Sequence, residues 1–150
     1  MNTLQQELPK RFTDAVSKLY NAFHENRLNP NDACACAVGN MCDNDSRWSK
    51  LVGMYGSGEV SDNAEDVIYG RKLTDRTGYN PIEIVTIEKV FLRACGWRYS
   101  NNHRDKNLQF KGLCAVVKYL CELDNVSNVM DFTSLFETQN DKPVKELQFV

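Results

Sequence analysis

The chain has 150 residues, of which 42% are hydrophobic and 25% are charged. These values are ordinary for a globular protein and predict one domain, spanning residues 1–150, that is large enough to bury a core. Its 18 basic and 20 acidic residues give a net charge of −2. Proteins that bind nucleic acid by its phosphates need a basic excess, so the composition predicts no nucleic-acid partner.

The sequence also bears on location. It contains no apolar run of the length that spans a membrane, and residues 1–7 do not resemble a signal peptide. We therefore expect a cytoplasmic protein without membrane insertion. In that compartment cysteines stay reduced unless a metal or a redox cycle engages them.

Apolar residues recur at helical spacing along most of the chain, which predicts an all-α fold. The expected architecture is a compact single-domain bundle of five to seven helices with a Cys-rich loop. The first helix either begins near Pro9 or is kinked there, because proline lacks the backbone N–H. Its apolar positions are Leu4, Leu8, Phe12, Val16, Leu19 and Phe23.

A second, short helix is predicted from residues 29–32, which read Asn-Pro-Asn-Asp. Asparagine is a favoured N-cap and proline a favoured first helical residue. Gly39 is expected to end this helix. Cys34 and Cys36 would then lie on it, with Cys42 just beyond.

The middle of the chain predicts another short helix at 46–53 and a loop at 54–62. Asp62 and Glu65 have the spacing of a capping box, which predicts a fourth helix reaching about Thr77.

Residues 80–83 read Asn-Pro-Ile-Glu and repeat the helix-start signal more clearly. They predict a helix over 81–95, with Gly96 as its left-handed C-terminal cap. The remaining predictions are a loop at 98–109, helices at 110–123 and 127–137, and an extended tail over the last ten residues.

Three of the six cysteines fall within nine residues, at Cys34, Cys36 and Cys42. We call residues 34–42 the cysteine-rich segment. Thiolates gathered this closely in a chain without an export signal favour metal over disulfides. The expected metal is structural zinc, with an iron–sulfur cluster as the second choice. The spacing C-x-C-x5-C, however, matches neither a zinc knuckle nor the plant-type ferredoxin motif.

A fourth ligand would have to come from elsewhere in the chain. Cys95 is the best candidate, since a cysteine in the last helical turn can point into a neighbouring loop. His24 and His103 are alternatives. Two other hypotheses remain open for the segment, namely small apolar side chains that pack a tight loop and a redox-active thiol.

Cys114 and Cys121 are seven residues apart on one predicted helix, about 10.5 Å along its axis. That distance is too long for a shared ion or a disulfide. Both lie on an apolar stripe, so burial in the core is the prediction.

Glu88 is an unexpected residue on its helix, because it shares a face with Ile84, Phe91 and Cys95. A carboxylate among apolar neighbours is costly unless it is paired or hydrogen-bonded. The simplest interpretation is a side chain at the edge of the face that reaches solvent or an arginine. The alternatives are a cap on another helix, a metal ligand, or an acid or base in catalysis.

Three stretches of the sequence resemble a family of small bacterial proteins that often carry the name of a component of the Na+-translocating NADH-quinone reductase. They are Cys36-Ala-Val-Gly-Asn-Met-Cys42, Glu88-Lys-Val-Phe-Leu-Arg-Ala-Cys-Gly96 and Leu120-Cys-Glu-Leu-Asp124. The resemblance implies no catalytic residue. It does not carry the reductase activity either, because the membrane anchor, ferredoxin-type motif and flavin module of the genuine component are not visible here.

Two function classes therefore compete. The first is a small cytosolic protein that holds zinc, or less favourably an iron–sulfur cluster, through Cys34, Cys36, Cys42 and Cys95. The second is a helical protein-interaction module with no metal and no catalysis, bound to a protein partner that the sequence does not identify. An enzyme ranks third, because no catalytic signature is present.

Overall fold

A computed structural model describes residues 8–31, 35–48, 64–96 and 105–137, except for the side chains of residues 64–67. In these ranges every regular element is a helix and no strand occurs, which confirms the all-α prediction. Residues 46–48 are also helical. The helices are α1 (Lys10–His24), α2 (Ala37–Met41), α3 (Ala64–Thr77), α4 (Pro81–Ala94), α5 (Lys106–Leu123) and α6 (Val129–Thr133), followed by a 3-10 helix (Ser134–Phe136).

Helices α1 and α5 run antiparallel, as contacts at both ends show. At one end Arg11 pairs with Asp124, with 2.6 Å between Nη2 and Oδ1. At the other end Lys106 donates to the carbonyl of Phe23 and lies 3.8 Å from the centre of its ring. The two helices therefore pack alongside each other over most of their length.

Helix α4 packs against α5, and its first turn lies next to Arg11 at the start of α1. Arg11 Nη1 lies 3.5 Å from Glu83 Oε1 in the first turn of α4. Further along, a Cβ atom on Gly112 of α5 would lie only 2.7 Å from Phe91 Cδ1. The glycine at this position thus permits the close approach of the two helices.

One apolar core lies between α1, α2, α4 and α5. Each of these helices turns its buried face inward, and residues 36–42 of the cysteine-rich segment are part of the core. Fully buried residues include Phe12, Leu19, Phe23, Val38, Ile87, Phe91, Leu113, Val117 and Leu120. No helix in the described ranges is both long and apolar enough to cross a membrane.

Two of the predicted helix starts agree with the structure. Helix α1 begins directly after Pro9, so the proline marks the start and produces no kink. Helix α4 has the full capping box, in which Asn80 Oδ1 accepts from the Glu83 N–H and Glu83 Oε1 accepts from the Asn80 N–H. Gly96 follows α4 with φ of +67°, as predicted for a C-terminal cap.

The predicted loop at 98–109 is wrong at its C-terminal end, because α5 already begins at Lys106. Asp105 caps it by accepting from the N–H groups of Asn107 and Leu108. The first turn of α5 is polar, so apolar periodicity did not reveal it. The signal in the sequence for the start of α5 was Asp105, a favoured N-cap residue.

The prediction for the short helix after Asn29 is also wrong. Asn29 accepts from the N–H of Asn31 and closes a local turn, and the helix is α2, which begins only at Ala37. Gly39, the expected terminator, lies buried in the middle of α2. An Asn side chain can make either a cap or a turn, and here the turn forms.

The predicted helix at 127–137 is present but divided. α-Helix gives way to 3-10 helix at Ser134. The hydroxyl groups of Thr133 and Ser134 donate back to the carbonyls of Met130 and Asp131, respectively. Such back-bonding competes with regular helix geometry and accounts for the early end of α6.

Helix α3 confirms the prediction of a helix reaching Thr77. Other predictions fall outside the described residues, either wholly or in part. They concern the capping side chains of Asp62 and Glu65, the loop at 54–62, the end of the helix at 46–53 and the C-terminal tail.

Candidate functional site

Cys36 is the N-cap residue of α2, and its sulfur accepts two N–H groups. The amide nitrogen of Gly39 lies 3.4 Å from Sγ, and the indole nitrogen of Trp48 lies 3.3 Å from the same sulfur. The residue is only 4% exposed. A cysteine therefore fills the role that Ser or Thr usually takes at a helix start, in a position closed to solvent.

Glu88 reaches the same helix from α4. It is 7% exposed, and its Oε1 accepts from the N–H of Val38 at 2.9 Å. The simplest sequence interpretation, an edge side chain that reaches solvent or an arginine, is therefore wrong. The capping alternative is correct, since a carboxyl group at a first helical turn binds an otherwise unpaired N–H.

The second oxygen of Glu88 is buried and has no hydrogen-bond partner among the described residues. Loss of solvation raises the pKa of this carboxyl group, an effect that its contacts with Val38 and Cys36 oppose. Burial, and then the nearby Glu88 carboxylate, raise the pKa of the Cys36 thiol well above its usual value. Both groups are thus held toward their neutral, protonated forms.

The sulfurs of Cys42 and Cys95 have the opposite hydrogen-bonding role. Cys42 Sγ donates to the carbonyl of Gly39 at 3.6 Å, and Cys95 Sγ donates to that of Leu92 at 3.4 Å. Burial raises the pKa of Cys42 to about 11. These are the bonds of protonated thiols at helix ends, whereas a metal ligand is a thiolate.

Cys36 and Cys42 are the N-cap and C-cap of α2, at opposite ends of that helix. Their separation of six residues corresponds to about 9 Å along a helix axis. The N–H of Gly39 points to one sulfur and its carbonyl to the other. Sulfurs that share a zinc ion lie about 4 Å apart, so this arrangement disfavours a mononuclear site that contains both.

The four-cysteine metal site stays a prediction, because Cys34 lies outside the described residues, as does the alternative ligand His103. Across the ranges that the structure does describe, no group of three or more His, Cys, Asp or Glu side chains is placed to hold a metal ion. His24, the other alternative, lies against Leu135, with 2.8 Å between Nε2 and the carbonyl oxygen.

Two contributors to the site were missed in the sequence. Trp48 falls within the helix predicted at 46–53 and was given no role there, although a buried indole N–H needs an acceptor. Asn40 holds the start of α2 by donating to the carbonyls of Ala35 and Cys36, at 2.9 and 3.0 Å. A tryptophan six residues after Cys42 was the only signal available in the sequence.

The second pair of cysteines behaves partly as expected. Cys121 is buried, which confirms the core prediction, and its pKa is raised to about 11 by loss of solvation. Cys114 is only partly buried. Cys121 is a member of the core cluster, whereas Cys114 on the same helix is not, so the prediction that Cys114 is buried in the core is wrong.

Comparison of the chain with protein-family models, curated proteins and solved structures finds no match. The family resemblance noted from the sequence therefore stays a prediction. The geometry of Cys36, Glu88 and Trp48 is therefore the basis for assigning a function.

Proposed function

We propose that this chain is a non-catalytic helical module that binds another protein, and that its cysteine-rich segment is a structural part of the core. The observation that carries the proposal is the bonding around α2. Cys36 accepts from Trp48, and Glu88 accepts from Val38. These side chains fix α2 against the bundle, so their polar groups serve the fold.

The same geometry disfavours catalysis. A reactive cysteine is partly exposed and has a lowered pKa. Cys36 is enclosed, and burial raises the pKa of its thiol. Glu88 is likewise buried, with only 7% of its surface exposed. A substrate would have to displace part of the core to reach either group.

Three large apolar side chains remain exposed on the described surface. They are Ile68 of α3 at 55%, Ile82 of α4 at 68% and Met130 of α6 at 81%. Scattered apolar side chains are common on protein surfaces. In the proposed function they are the first contact points to test.

Crosslinking in the native cell tests the binding role. A photo-reactive residue in place of Ile82 or Met130 should form a discrete adduct with one protein, identified by mass spectrometry. The same residue in place of Lys72 or Lys111, which are also exposed, provides the matched control. Equal adduct patterns from all four positions would contradict a specific interface at the apolar sites.

One observation favours a second candidate, a metal held through Cys34 and Cys36. Two N–H groups directed at one sulfur are also how proteins surround a metal-bound thiolate. In this candidate Cys42 and Cys95, whose sulfurs donate to carbonyl groups in the structure, would have to turn toward the metal as thiolates. The metal is zinc or, less favourably, an iron–sulfur cluster.

Metal analysis discriminates the two candidates. Protein purified without chelator or a metal-affinity column should contain no stoichiometric metal under the interaction proposal, and chelator should leave its melting temperature unchanged. Under the metal candidate, Cys36→Ser should lose both the metal and the chelator sensitivity. Cys121→Ser, which alters a cysteine elsewhere in the core, is the matched control.

A further inference from the structure

Positive charge is distributed unevenly over the surface of this net acidic chain. Ion pairs engage the cations of α1, of the segments that follow α1 and α2, and of the last turn of α3, namely Lys10, Arg11, Lys18, Arg27, Arg47 and Arg76. On α4 and α5, by contrast, four exposed cations form no hydrogen bond or ion pair in the part of the chain that the structure describes. They are Lys89, Arg93, Lys111 and Lys118, which we call the basic face.

On α4 the two cations of the basic face share a stripe with apolar side chains. Lys89 is seven residues after Ile82, and Arg93 is four residues further on, so the three lie on one side of the helix. Ile82 is 68% exposed. The half-buried Val85 lies on the same stripe, between Ile82 and Lys89. The core residues of α4 are on the opposite side of the helix.

Helix α5 has a similar stripe. Lys111 and Lys118 are seven residues apart, and the half-buried Ala115 lies between them on the same side of the helix. Glu122, which is exposed, follows one turn after Lys118. The buried residues of α5 are again on the opposite side. Each stripe therefore combines two cations with small or aliphatic side chains.

The two stripes face the same side of the bundle. Helices α4 and α5 pack directly on each other, and both bury their opposite faces in the one core. They run antiparallel, because the first turn of α4 and the C-cap of α5 both lie at Arg11. Arg93 is therefore at the same end of the helix pair as Lys111, and Ile82 is at the same end as Glu122.

We infer that the basic face is the docking surface of this module, and that its partner is an acidic amphipathic helix of another protein. The inference rests on the proposed function and names the surface and the chemistry of the partner. Two adjacent helices present rows of side chains onto which a third helix packs. Carboxylates of the partner pair with the four cations, and its apolar side chains cover Ile82 and Val85. Complementary charge of this kind sets the register of an interface and speeds association.

The composition of the face favours a protein over other anionic partners. Proteins that bind nucleic acid through its phosphates have a basic excess, whereas this chain has a net charge of −2. A helix that lies on a membrane inserts a row of large apolar side chains. In the described part of the basic face and its stripes, Ile82 is the one large apolar side chain that is mostly exposed. Charged and apolar contacts in alternation are typical of an interface between proteins.

Charge substitutions combined with crosslinking test the inference. A photo-reactive residue replaces Ile82 in the full chain in its native cell, and Lys89→Gln together with Arg93→Gln removes the two cations on the same stripe. The yield of the adduct should fall by about tenfold or more, because the partner loses its ion pairs with α4. Mass spectrometry of the adduct should place the crosslink in a segment rich in Asp and Glu.

Arg71→Gln together with Lys72→Gln is the matched control. These two cations of α3 are also exposed and have no ion pair with a described residue, so the control changes the net charge equally at a distance from the face. It should leave the adduct yield unchanged. Lys111 belongs to the basic face, so a photo-reactive residue there should form the same adduct as one at Ile82. Lys72 alone then serves as the control position for crosslinking.

An equal loss of adduct in the two double variants overturns the inference, because general attraction between charges would then account for the binding. An unchanged yield after substitution of Lys89 and Arg93 also overturns it, and so does an adduct with nucleic acid, lipid or a second copy of the chain. A protein adduct that persists without these cations leaves the proposed function intact. Absence of an adduct at both Ile82 and Met130 contradicts the proposed function as well.

Circular dichroism checks that both double variants fold, as expected for exposed side chains without ion pairs. If the variant of the basic face does not fold, ionic strength decides the inference. In cell extract, the adduct yield of the otherwise unsubstituted chain with the photo-reactive residue at Ile82 should then fall as salt is added, because exposed charges are screened. A yield that does not depend on salt overturns the inference.

Discussion

Helices α4 and α2 both begin with a side-chain cap, but the information for the two caps lies at different distances along the chain. At α4 the reciprocal bonds join Asn80 and Glu83, three residues apart. At α2 the local cap is the sulfur of Cys36, and the carboxyl group of Glu88 adds a bond from 50 residues away. A helix start encoded locally can be found in the sequence, whereas one completed by tertiary contact cannot.

The first test of this comparison is Glu88→Ala, for which we expect the largest loss of stability. The substitution leaves the N–H of Val38 unpaired and removes a buried side chain that packs between α2 and α4. Both effects destabilise, so we expect the free energy of unfolding to fall by about 2–4 kcal/mol. Urea unfolding followed by circular dichroism measures the loss.

Hydrogen exchange should locate the effect of that substitution. The amides of α2 should lose protection more than those of α3, whose buried face does not depend on Glu88. A uniform loss of protection in all helices would show that Glu88 supports the whole core and not the start of α2 in particular.

The second test uses pH. Burial raises the pKa of Glu88 above its ordinary value of 4.5, so in this range the folded state binds more protons than the unfolded state. The contribution of Glu88 to stability is therefore complete below about pH 4.5 and is lost as the pH rises through the folded-state pKa.

Glu88→Gln isolates this effect, because glutamine keeps an acceptor for Val38 and cannot ionise. Relative to the unsubstituted protein, the variant should become progressively more stable as the pH rises from about 4.5. Other titrating groups contribute equally to both proteins and cancel. Parallel stability curves across this range would mean that Glu88 is ionised in the folded state at little cost.

The third test addresses the local cap. Asn80→Ala removes the acceptor for the Glu83 N–H, which is exposed to solvent and can bind water instead. We expect a loss of about 1 kcal/mol in thermal or urea unfolding. If this loss equalled that of Glu88→Ala, the contrast between a local and a long-range cap would have no energetic basis.

The smallest effect is expected for Cys36→Ser. Serine is a favoured N-cap and can accept from the N–H groups of Gly39 and Trp48, so the free energy of unfolding should change by less than about 1 kcal/mol. Trp48 should keep the emission maximum of a buried indole. A loss of several kcal/mol would show that the larger sulfur, or a bound metal, is essential to the packing of α2.

The sequence identified most residues of the candidate site but did not predict how they are arranged in space. The cysteine cluster and the anomalous position of Glu88 were both evident, because spacing and helical periodicity are local properties. Their meeting was not evident, since it requires α2 to pack on α4. The donor and acceptor roles of Cys36 and Cys42 also depend on the actual ends of α2.

The sequence by itself determined the helical class and both ends of α4, because periodicity, proline and capping residues act within one or two turns. At Pro9 it left a helix start and a kink open, and the structure shows the start. Only the tertiary structure decided where α2 begins and which group binds Glu88. In each of these cases several local conformations satisfy the same short sequence. Burial against a distant helix selects one of them, because a polar group removed from water must find its partner there.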